Sequence, residues 1–430
     1  MMLTRRGLLG TALLGAAAVG LSACGTNSGG GTTADGKTAL RLGWWGNPTR
    51  NQNTTDVIAA YQTANTNVAI TPEVGDWASY WDKLATQMAA NDAPDIIQMD
   101  MAYIREYGAR GALADLSKNV DTAKFAPGTA DAGKLPKGLM GINAGVNSLT
   151  LLANEKLFKQ AGVDLPDDST WTWDGLLEVA AAVTKGSGGK FSGLSGALAG
   201  DDLIGFWLRQ NGKSFYTEQG FGFEPADLVP YFTWVKKMYD STASPSASAV
   251  VEDGAKAVDQ QMLATGKVAM AMHWSNQVKA LDAASGEDLK LLQMPTLAGD
   301  AAQGAFWYKA SMLWSVNARS KNVDAAAAMI DFIVNDAAAA KIIKAERGMP
   351  ANLDMRKLIE NDLDPSDKKA LDFLNKIEPG IKDSPIPPLV GTAGVRTALT
   401  TVTTDLAFGR TTPEAAAQKF YDDGKGQIQI

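Results

Sequence analysis

The sequence predicts an α/β protein that is large enough to form two lobes. The chain has 430 residues, more than a single hydrophobic core usually organises. Its first folded segment alternates strand and helix patterns, which indicates a sheet of parallel strands joined by right-handed crossovers. Apolar residues make up 45% of the chain and charged residues 20%, as in ordinary globular proteins.

Strand and helix patterns can be assigned in order along the first part of the chain. They predict a strand over 39–43, a helix over 52–65, a strand over 67–72, a helix over 77–90 and a strand over 94–99. Ligands of such sheets gather at the carboxyl ends of the strands. Trp44, Trp45 and Asp100 stand at those ends, so we expect them near a binding site.

The rest of the chain continues the mixture of strands and helices. Strands are predicted over 146–153, 267–272 and 311–316, and helices over 154–162, 175–184, 325–334, 336–346 and within 391–422. Thr172 is a suitable N-cap for the helix that starts near Gly175, because its hydroxyl can accept a hydrogen bond from a free backbone amide. No internal repeat is evident in the sequence.

The N-terminus has the layout of a secretory leader. Arg5 and Arg6 precede an uncharged stretch rich in Ala, Gly and Leu. The stretch ends in Leu21-Ser22-Ala23-Cys24-Gly25, which resembles the lipobox of bacterial lipoproteins, whose cysteine is diacylated. We therefore predict a signal peptide over 1–23, exported by the Sec or the Tat route. An uncleaved anchor helix with an incidental cysteine is the alternative.

A lipid anchor and a flexible tether are predicted to follow the leader. Cys24 is the predicted lipidation site, and residues 24–37 form a flexible linker rich in Gly and Thr. This arrangement places the folded body on the extracellular face of the cell membrane, outside the bilayer but close to it.

Several classes of function are disfavoured by composition. Cys24 is the single cysteine and His273 the single histidine, so the chain can form neither an internal disulfide nor a His/Cys metal cluster. A Ser-His-Asp or Cys-His mechanism would depend on His273 alone. The net charge of -7 and the lack of a long Lys/Arg cluster argue against nucleic acid as a partner. We predict no metal and no cofactor.

Aromatic and polar residues recur together where predicted strands stop. Sugars require this combination, because their C–H faces stack on flat rings and their hydroxyls need donors and acceptors. The groups at strand ends are Trp44 and Trp45 with Arg50, Asp100 with Tyr103, Asn147, Trp274 with Asn276, and Trp307 with Tyr308. The sequence therefore predicts a carbohydrate site.

Core packing is the alternative for each aromatic residue. Trp81 and Leu84 follow the inward spacing of a helix, and Trp234 lies in a helix-packing pattern, so we expect these three in cores. His273 is better explained as a hydrogen-bonded structural residue than as a ligand contact.

Short motifs occur in order along nearly the whole chain. The first ones are Trp44-Trp45-Gly46-x-x-x-Arg50, Trp77-x-x-Tyr80-Trp81-Asp82-Lys83-Leu84, Pro94-Asp95-Ile96-Ile97-Gln98-Met99-Asp100 and Gly111-Ala112-Leu113-x-Asp115-Leu116. The later ones are Leu151-Leu152-x-Asn154-x-x-Leu157-Phe158-x-x-x-Gly162, Gly266-Lys267-Val268-Ala269-Met270, Ser320-Lys321-Asn322-x-x-Ala325-Ala326 with Phe332-Ile333, and Arg347-Gly348-Met349-Pro350. Together these motifs resemble those of the extracellular solute-binding proteins of sugar ABC importers, family 1, the group of the maltose-binding type.

The resemblance implies a two-lobe periplasmic-binding-protein-like clamp of type II, in which crossing hinge segments join two lobes that close on a ligand. Its N-terminal lobe would comprise 38–147 and 301–345, and its C-terminal lobe 148–300 and 346–430. The implied partners are a carbohydrate and the permease subunits of an ABC importer, with the protein acting as a monomer.

The resemblance also extends the set of candidate ligand-binding residues. Trp44, Arg50, Asp100 and Asn147 would line one side of the cleft, and Trp207, Trp274, Trp307 and Arg347 the other side or the hinge. Trp77, Tyr80, Trp173 and Arg209 complete the set of candidates.

Two alternatives remain at this point. The same clamp could carry a polyol, a glycerol-phosphate diester, an amino acid or a peptide, and Arg50 and Arg347 do not exclude an anionic cargo. A secreted glycan hydrolase or lyase would need two carboxylates at a defined separation, and Asp100 could be one of them.

Overall fold

A computed structural model of the chain describes residues 31–195, 200–381 and 383–429. The predicted signal peptide and the predicted lipidation site, Cys24, lie outside the described residues. Within those residues, no helix combines the length and the apolar character that a membrane crossing requires.

The described residues form strands and helices throughout. The strands are β1 (Thr38–Trp45), β2 (Val68–Gly75), β3 (Ile96–Met99), β4 (Lys134–Leu135), β5 (Gly138–Leu139), β6 (Ile142–Asn147), β7 (Leu149–Ala153), β8 (Ser192–Leu194), β9 (Ser214–Thr217), β10 (Gly220–Gly222), β11 (Val268–Trp274), β12 (Lys290–Leu292) and β13 (Lys309–Val316). The α-helices are α1 (Pro48–Ala64), α2 (Trp77–Ala89), α3 (Met101–Ala109), α4 (Glu155–Ala161), α5 (Trp173–Gly186), α6 (Asp201–Gln210), α7 (Pro225–Asp240), α8 (Ala247–Gly254), α9 (Val278–Ser285), α10 (Val323–Asn335), α11 (Ala337–Ile343), α12 (Leu353–Ile359), α13 (Pro365–Ile377), α14 (Thr392–Ala407) and α15 (Pro413–Lys425).

The first lobe is built on a five-stranded sheet with the order β2-β1-β3-β13-β6. β1 pairs in parallel with β2 and β3, as the alternating pattern predicts, whereas β13 runs antiparallel to β3 and β6. Side chains of β1 alternate between the two faces of the sheet. Leu40, Leu42 and Trp44 share a core with α1, α10 and α11, while Trp45 packs on the opposite face with α2 and α3.

The second lobe is built on a four-stranded sheet with the order β12-β7-β11-β8. β7 runs antiparallel to both β11 and β12, and β8 runs parallel to β11. Helices α5, α6, α7, α13, α14 and α15 contribute to the large core beside this sheet. The predicted N-cap is present, because the Thr172 hydroxyl accepts a hydrogen bond of 3.0 Å from the Gly175 amide.

The chain passes between the lobes at adjacent places. One crossing links β6 to β7, a second leads through Trp307 into β13, and a third follows α11. The first and third crossings are joined by paired backbone hydrogen bonds between Val146 and Met349, of 2.7 and 3.0 Å. The Ser148 hydroxyl donates a hydrogen bond of 2.8 Å to the carbonyl of Trp307, which ties the first crossing to the second. The two-lobe α/β architecture is thus confirmed.

A close backbone approach at these crossings requires a glycine. A Cβ atom at Gly145 would overlap the carbonyl oxygen of Arg347. The backbone of both residues is held in place by the adjacent Val146–Met349 hydrogen bonds.

We therefore expect Gly145→Ala to lower the free energy of unfolding by about 1–3 kcal/mol, the usual cost of forcing an extra carbon into a packed site. Gly254→Ala is the matched control, since a Cβ there meets no heavy atom within 4 Å. Urea titration followed by circular dichroism measures both variants. Equal stability of the two variants would contradict the assignment of a close approach at the crossings.

Candidate functional site

The topology brings strand ends of both sheets to one place. β6 and β3 both run antiparallel to β13, so the end of β6, the end of β3 and the start of β13 share one edge of the first sheet. Asn147 ends β6 and pairs with Lys309, the first residue of β13. In the second sheet Trp274 ends β11 and pairs with Leu149, two residues after Asn147. Asn147 and Lys309 of the first sheet therefore lie beside Trp274 of the second.

Lys309 is the centre of this cluster. Its ammonium nitrogen lies 4.2 Å from the ring centroid of Trp274, within the range of a cation–π interaction. The same nitrogen lies 3.9 Å from Asp202 Oδ2, which belongs to the first turn of α6 in the second lobe. Aromatic, cationic and anionic groups thus meet at the boundary between the lobes.

Asp202 faces an acidic neighbour across this boundary. Burial raises the pKa of the Asp202 carboxyl group, the Lys309 ammonium opposes that shift, and the nearby charges of Asp201 and Asp100 reinforce it. The side chain of Asp202 nevertheless retains 34% exposure. Protein therefore surrounds Asp202 on most sides while water still reaches it, which is the environment of a cleft.

Asp100 approaches the same cleft from the first lobe. It is the N-cap of α3, and its Oδ1 accepts a hydrogen bond of 2.9 Å from the Ala102 amide. In the described part of the chain this is the one hydrogen bond that the Asp100 carboxylate accepts. Its other oxygen can therefore accept a further hydrogen bond.

Asn147 carries an unsatisfied group next to Lys309. Its side chain is 5% exposed, and its Oδ1 has no hydrogen-bond partner in the described part of the chain. Buried polar atoms in folded proteins are nearly always hydrogen-bonded. The Asn147 oxygen is thus available to a polar group that enters the cleft.

A rigid aromatic surface stands at the carboxyl edge of the first sheet. Trp77, the first residue of α2, is 49% exposed, and its ring lies 5.0 Å from Trp45, 5.5 Å from Trp81 and 6.4 Å from Tyr103, measured between centroids. Trp81 and Tyr103 stack at 3.8 Å. These contacts fix an exposed tryptophan in one orientation.

Arg105 ties the two lobes together directly. It lies on α3 of the first lobe and donates hydrogen bonds of 2.8 and 3.0 Å to the two carboxylate oxygens of Glu218, in the β9–β10 turn of the second lobe. It also donates to the carbonyl of Pro387, at 3.1 and 3.3 Å. Two separate segments of the second lobe are therefore held to α3.

Two of the predicted site residues are core residues of the first lobe. Trp44 has no exposed surface and its indole N–H donates a hydrogen bond of 2.9 Å to Asn51 Oδ1. Tyr80 is 6% exposed and its hydroxyl donates to the carbonyl of Gln98 at 2.8 Å. The prediction that Trp44 and Tyr80 contact ligand is wrong, because both polar groups are satisfied inside the lobe.

Three more predicted site residues belong to the core of the second lobe. Trp207 packs against Trp173, with 5.1 Å between ring centroids, and the Trp173 N–H donates to Gln210 Oε1 at 3.0 Å. Tyr308 is fully buried and its hydroxyl donates to the carbonyl of Leu374 at 3.0 Å. The structure therefore contradicts the prediction for Trp173 and Tyr308, whereas Trp207, whose indole nitrogen has no hydrogen-bond partner in the described part of the chain, stays a prediction.

The predicted arginines are already paired. Arg50 donates from Nε to both carboxylate oxygens of Glu346, at 3.0 and 3.1 Å. Arg209 donates at 2.5 Å to Asp383 and at 3.0 Å to the carbonyl of Ala305. Each guanidinium charge is offset by a carboxylate, and ligand binding by Arg50 and Arg209 stays a prediction.

Arg347 is enclosed in the first lobe and does not line the cleft. It is 1% exposed, donates to Gln98 Oε1 at 3.2 Å and to Thr54 Oγ1 at 2.7 Å, and packs over the ring of Trp314. Burial lowers the pKa of its guanidinium group to about 9. This placement overturns the prediction of a ligand contact.

The remaining candidates stay predictions as ligand contacts. Trp307 is buried with its ring 6.4 Å from Trp274, and Asn276 is exposed just beyond Trp274. Trp45 is 7% exposed and packs against the ring of Trp77. The full remaining set is Trp45, Arg50, Trp77, Asp100, Tyr103, Asn147, Trp207, Arg209, Trp274, Asn276 and Trp307.

Sequence reasoning missed Lys309, Asp202, Arg105 and Glu218. Lys309 follows Trp307 and Tyr308 at the start of a strand, and this position could have drawn attention to it. Glu218 and Arg105 gave no comparable signal, because their pairing joins residues 113 positions apart.

The chain belongs to the bacterial extracellular solute-binding proteins. The model of this family matches residues 56–369, which is more than half of the chain. This confirms the resemblance seen in the motifs, and it identifies a family of binding proteins rather than enzymes.

Solved structures with the same fold cover nearly the whole chain. An extracellular solute-binding protein family 1 from Alicyclobacillus acidocaldarius is 24% identical, covers 92% of this chain and 99% of its own, and has a TM-score of 0.75. A periplasmic oligogalacturonide binding protein from Yersinia enterocolitica is 20% identical, with 90% and 98% coverage and a TM-score of 0.77. The GacH receptor of Streptomyces glaucescens, solved unliganded and with acarbose, is 19% identical, with 91% and 99% coverage and a TM-score of 0.70.

We expect Arg105→Ala to increase the average separation of the lobes, because it removes charge-assisted hydrogen bonds to Glu218 and donors to Pro387. Small-angle X-ray scattering of the ligand-free protein should report a larger radius of gyration. Arg110→Ala is the matched control, since Arg110 pairs with Glu106 of its own helix. An unchanged scattering curve for Arg105→Ala would contradict a role of this contact in holding the lobes together.

Proposed function

We propose that this protein captures a carbohydrate, an oligosaccharide in particular, between its lobes and delivers it to the permease of an ABC importer. The single observation that supports this best is the cluster at the lobe boundary. The ring of Trp274 stands there, with the Lys309 ammonium 4.2 Å from its centroid and Asp202 3.9 Å from that ammonium.

This cluster suits the two surfaces of a sugar. A pyranose presents C–H groups that pack on an aromatic face, and hydroxyls that both donate and accept hydrogen bonds. Lys309 is a donor, while Asp202 and the free oxygens of Asp100 and Asn147 are acceptors. Ligand contacts to both lobes form only when the lobes are close together, so the ligand shifts the equilibrium toward the closed form.

The aromatic surface around Trp77 supports a ligand longer than one sugar. Trp77 stands on the first lobe at the carboxyl edge of the sheet, separate from Trp274 on the second lobe. A chain of several sugar units would be able to contact both rings.

A thermal-shift screen of mono- and oligosaccharides tests the proposal. A ligand that binds the native state stabilises it by about 2.7 kcal/mol at 100 times its Kd, which raises the melting temperature by several degrees. A polyol, a glycerol-phosphate diester and free amino acids belong in the same screen. A response to one of these and to no sugar would contradict the carbohydrate assignment.

We expect Trp274→Ala to weaken the binding of any sugar found in the screen by about 1–3 kcal/mol, because it removes both the aromatic face and the apolar area that the sugar covers. Isothermal titration calorimetry measures the change. Phe408→Ala is the control, since Phe408 is a 43% exposed aromatic residue at the end of α14. Unchanged affinity for Trp274→Ala would remove this residue from the site.

Asp100 and Asp202 also raise the question of catalysis. Two carboxylates in one cleft are the groups that glycosidases use as acid and base. We propose binding without reaction, in keeping with the family. The recovered sugar should have an unchanged mass after prolonged incubation with the protein, and cleavage products would favour the hydrolase instead.

The proposed location is the extracellular face of the cell membrane, with the lipid on Cys24 as the anchor. Cys24→Ser removes the thiol that would carry the lipid. We expect this variant to appear in the culture medium, and fractionation followed by immunoblotting measures the distribution. Retention of Cys24→Ser in the membrane fraction would contradict lipid anchoring.

A further inference from the structure

The charges of the cleft bear on the class of sugar, given the proposed function. The groups that meet between the lobes are the carboxylates of Asp100 and Asp202 and the ammonium of Lys309. At 3.9 Å the Lys309 ammonium is too far from Asp202 for a hydrogen bond but close enough to offset one negative charge. These two carboxylates and one ammonium therefore leave one negative charge without compensation.

An acidic sugar needs a cation whose charge is not already offset by a carboxylate of the protein. Uronates and sulfated sugars carry anions whose planar or tetrahedral oxygens are best matched by the guanidinium fork of arginine. Four arginines of the described structure are each paired with a carboxylate, so their charges are offset. Their partners are Glu346 for Arg50, Glu218 for Arg105, Asp383 for Arg209 and Asp201 for Arg396.

The pairing of Arg396 with Asp201 does not change the net negative charge of the cleft. Arg396 donates from Nε to both oxygens of Asp201 at 3.0 Å, so its charge is taken up by the neighbour of Asp202 in the sequence. Asp202 itself, with Lys309 at 3.9 Å, is the anion that a ligand meets. A second anion brought in by the ligand would face Asp202 and Asp100 in a partly dehydrated cleft.

We infer that the ligand is a saccharide without carboxylate or sulfate groups, and that Asp202 rejects acidic sugars. The fold itself does not exclude such sugars, because one solved structure with this fold is named as an oligogalacturonide binding protein. The residues of this cleft decide the charge class. This inference rests on the proposed carbohydrate function.

Pairs of ligands that differ only in charge test the inference. Each pair consists of a neutral disaccharide and its uronate, such as galactobiose with digalacturonate, with corresponding pairs built from glucose and glucuronate and from mannose and mannuronate. Calorimetry at low ionic strength measures both members, because exposed charges are least screened there. We expect the uronate to bind at least about tenfold more weakly than its neutral partner.

The variant Asp202→Asn tests whether Asp202 causes the preference for neutral sugars over uronates. The substitution keeps the shape of the side chain and removes its charge, so the ratio of the two affinities should move toward one, whatever happens to the neutral sugar alone. Asp372→Asn is the matched control, since Asp372 also has a lysine at 3.9 Å but lies on the surface of α13. It should leave the ratio unchanged.

The possible outcomes distinguish the charge preference from the proposed carbohydrate function. A uronate that binds as tightly as its neutral partner, or more tightly, overturns this inference and leaves the carbohydrate function in place. A wild-type ratio in Asp202→Asn overturns the role of Asp202. Binding of neither member in any pair overturns the proposed function, and this inference with it.

Discussion

The structure depends on how the chain crosses from one lobe to the other. Val146 and Met349 exchange backbone hydrogen bonds, and Ser148 ties the neighbouring crossing through the carbonyl of Trp307. Because these crossings lie side by side, the sheet edges that carry Asn147, Lys309 and Trp274 face each other. The position of Lys309 next to Trp274 follows from this arrangement, since each residue adjoins a crossing.

Charge pairing organises the surroundings of the cleft. Arg50, Arg105 and Arg209 each hold a carboxylate, and Arg347 is enclosed by polar side chains and the ring of Trp314. Such pairs offset the cost of keeping ions partly dehydrated, and they fix the segments that carry them. What remains open to the cleft is a small set of groups at strand ends rather than a general surplus of charge.

The sequence predicts the fold well and the site in part. The alternation of strand and helix patterns locates β1, β2 and β3, because each strand needs a crossover helix before the next parallel strand. Trp44 shows why a position at a strand end does not by itself identify a ligand contact. It stands at a strand end, yet the two-residue period places it with Leu40 and Leu42 in the core. The facing of Asp202 and Lys309 depends on pairings between distant segments, which periodicity does not encode.

The contact of Arg105 with Glu218 has a consequence for release. The Glu218 side chain is 40% exposed, so water and dissolved ions can take over from the guanidinium group as the lobes part. Rehydration of both partners keeps the barrier to separation low. Two lobes joined by such a contact can move apart without leaving the Glu218 carboxylate unsolvated.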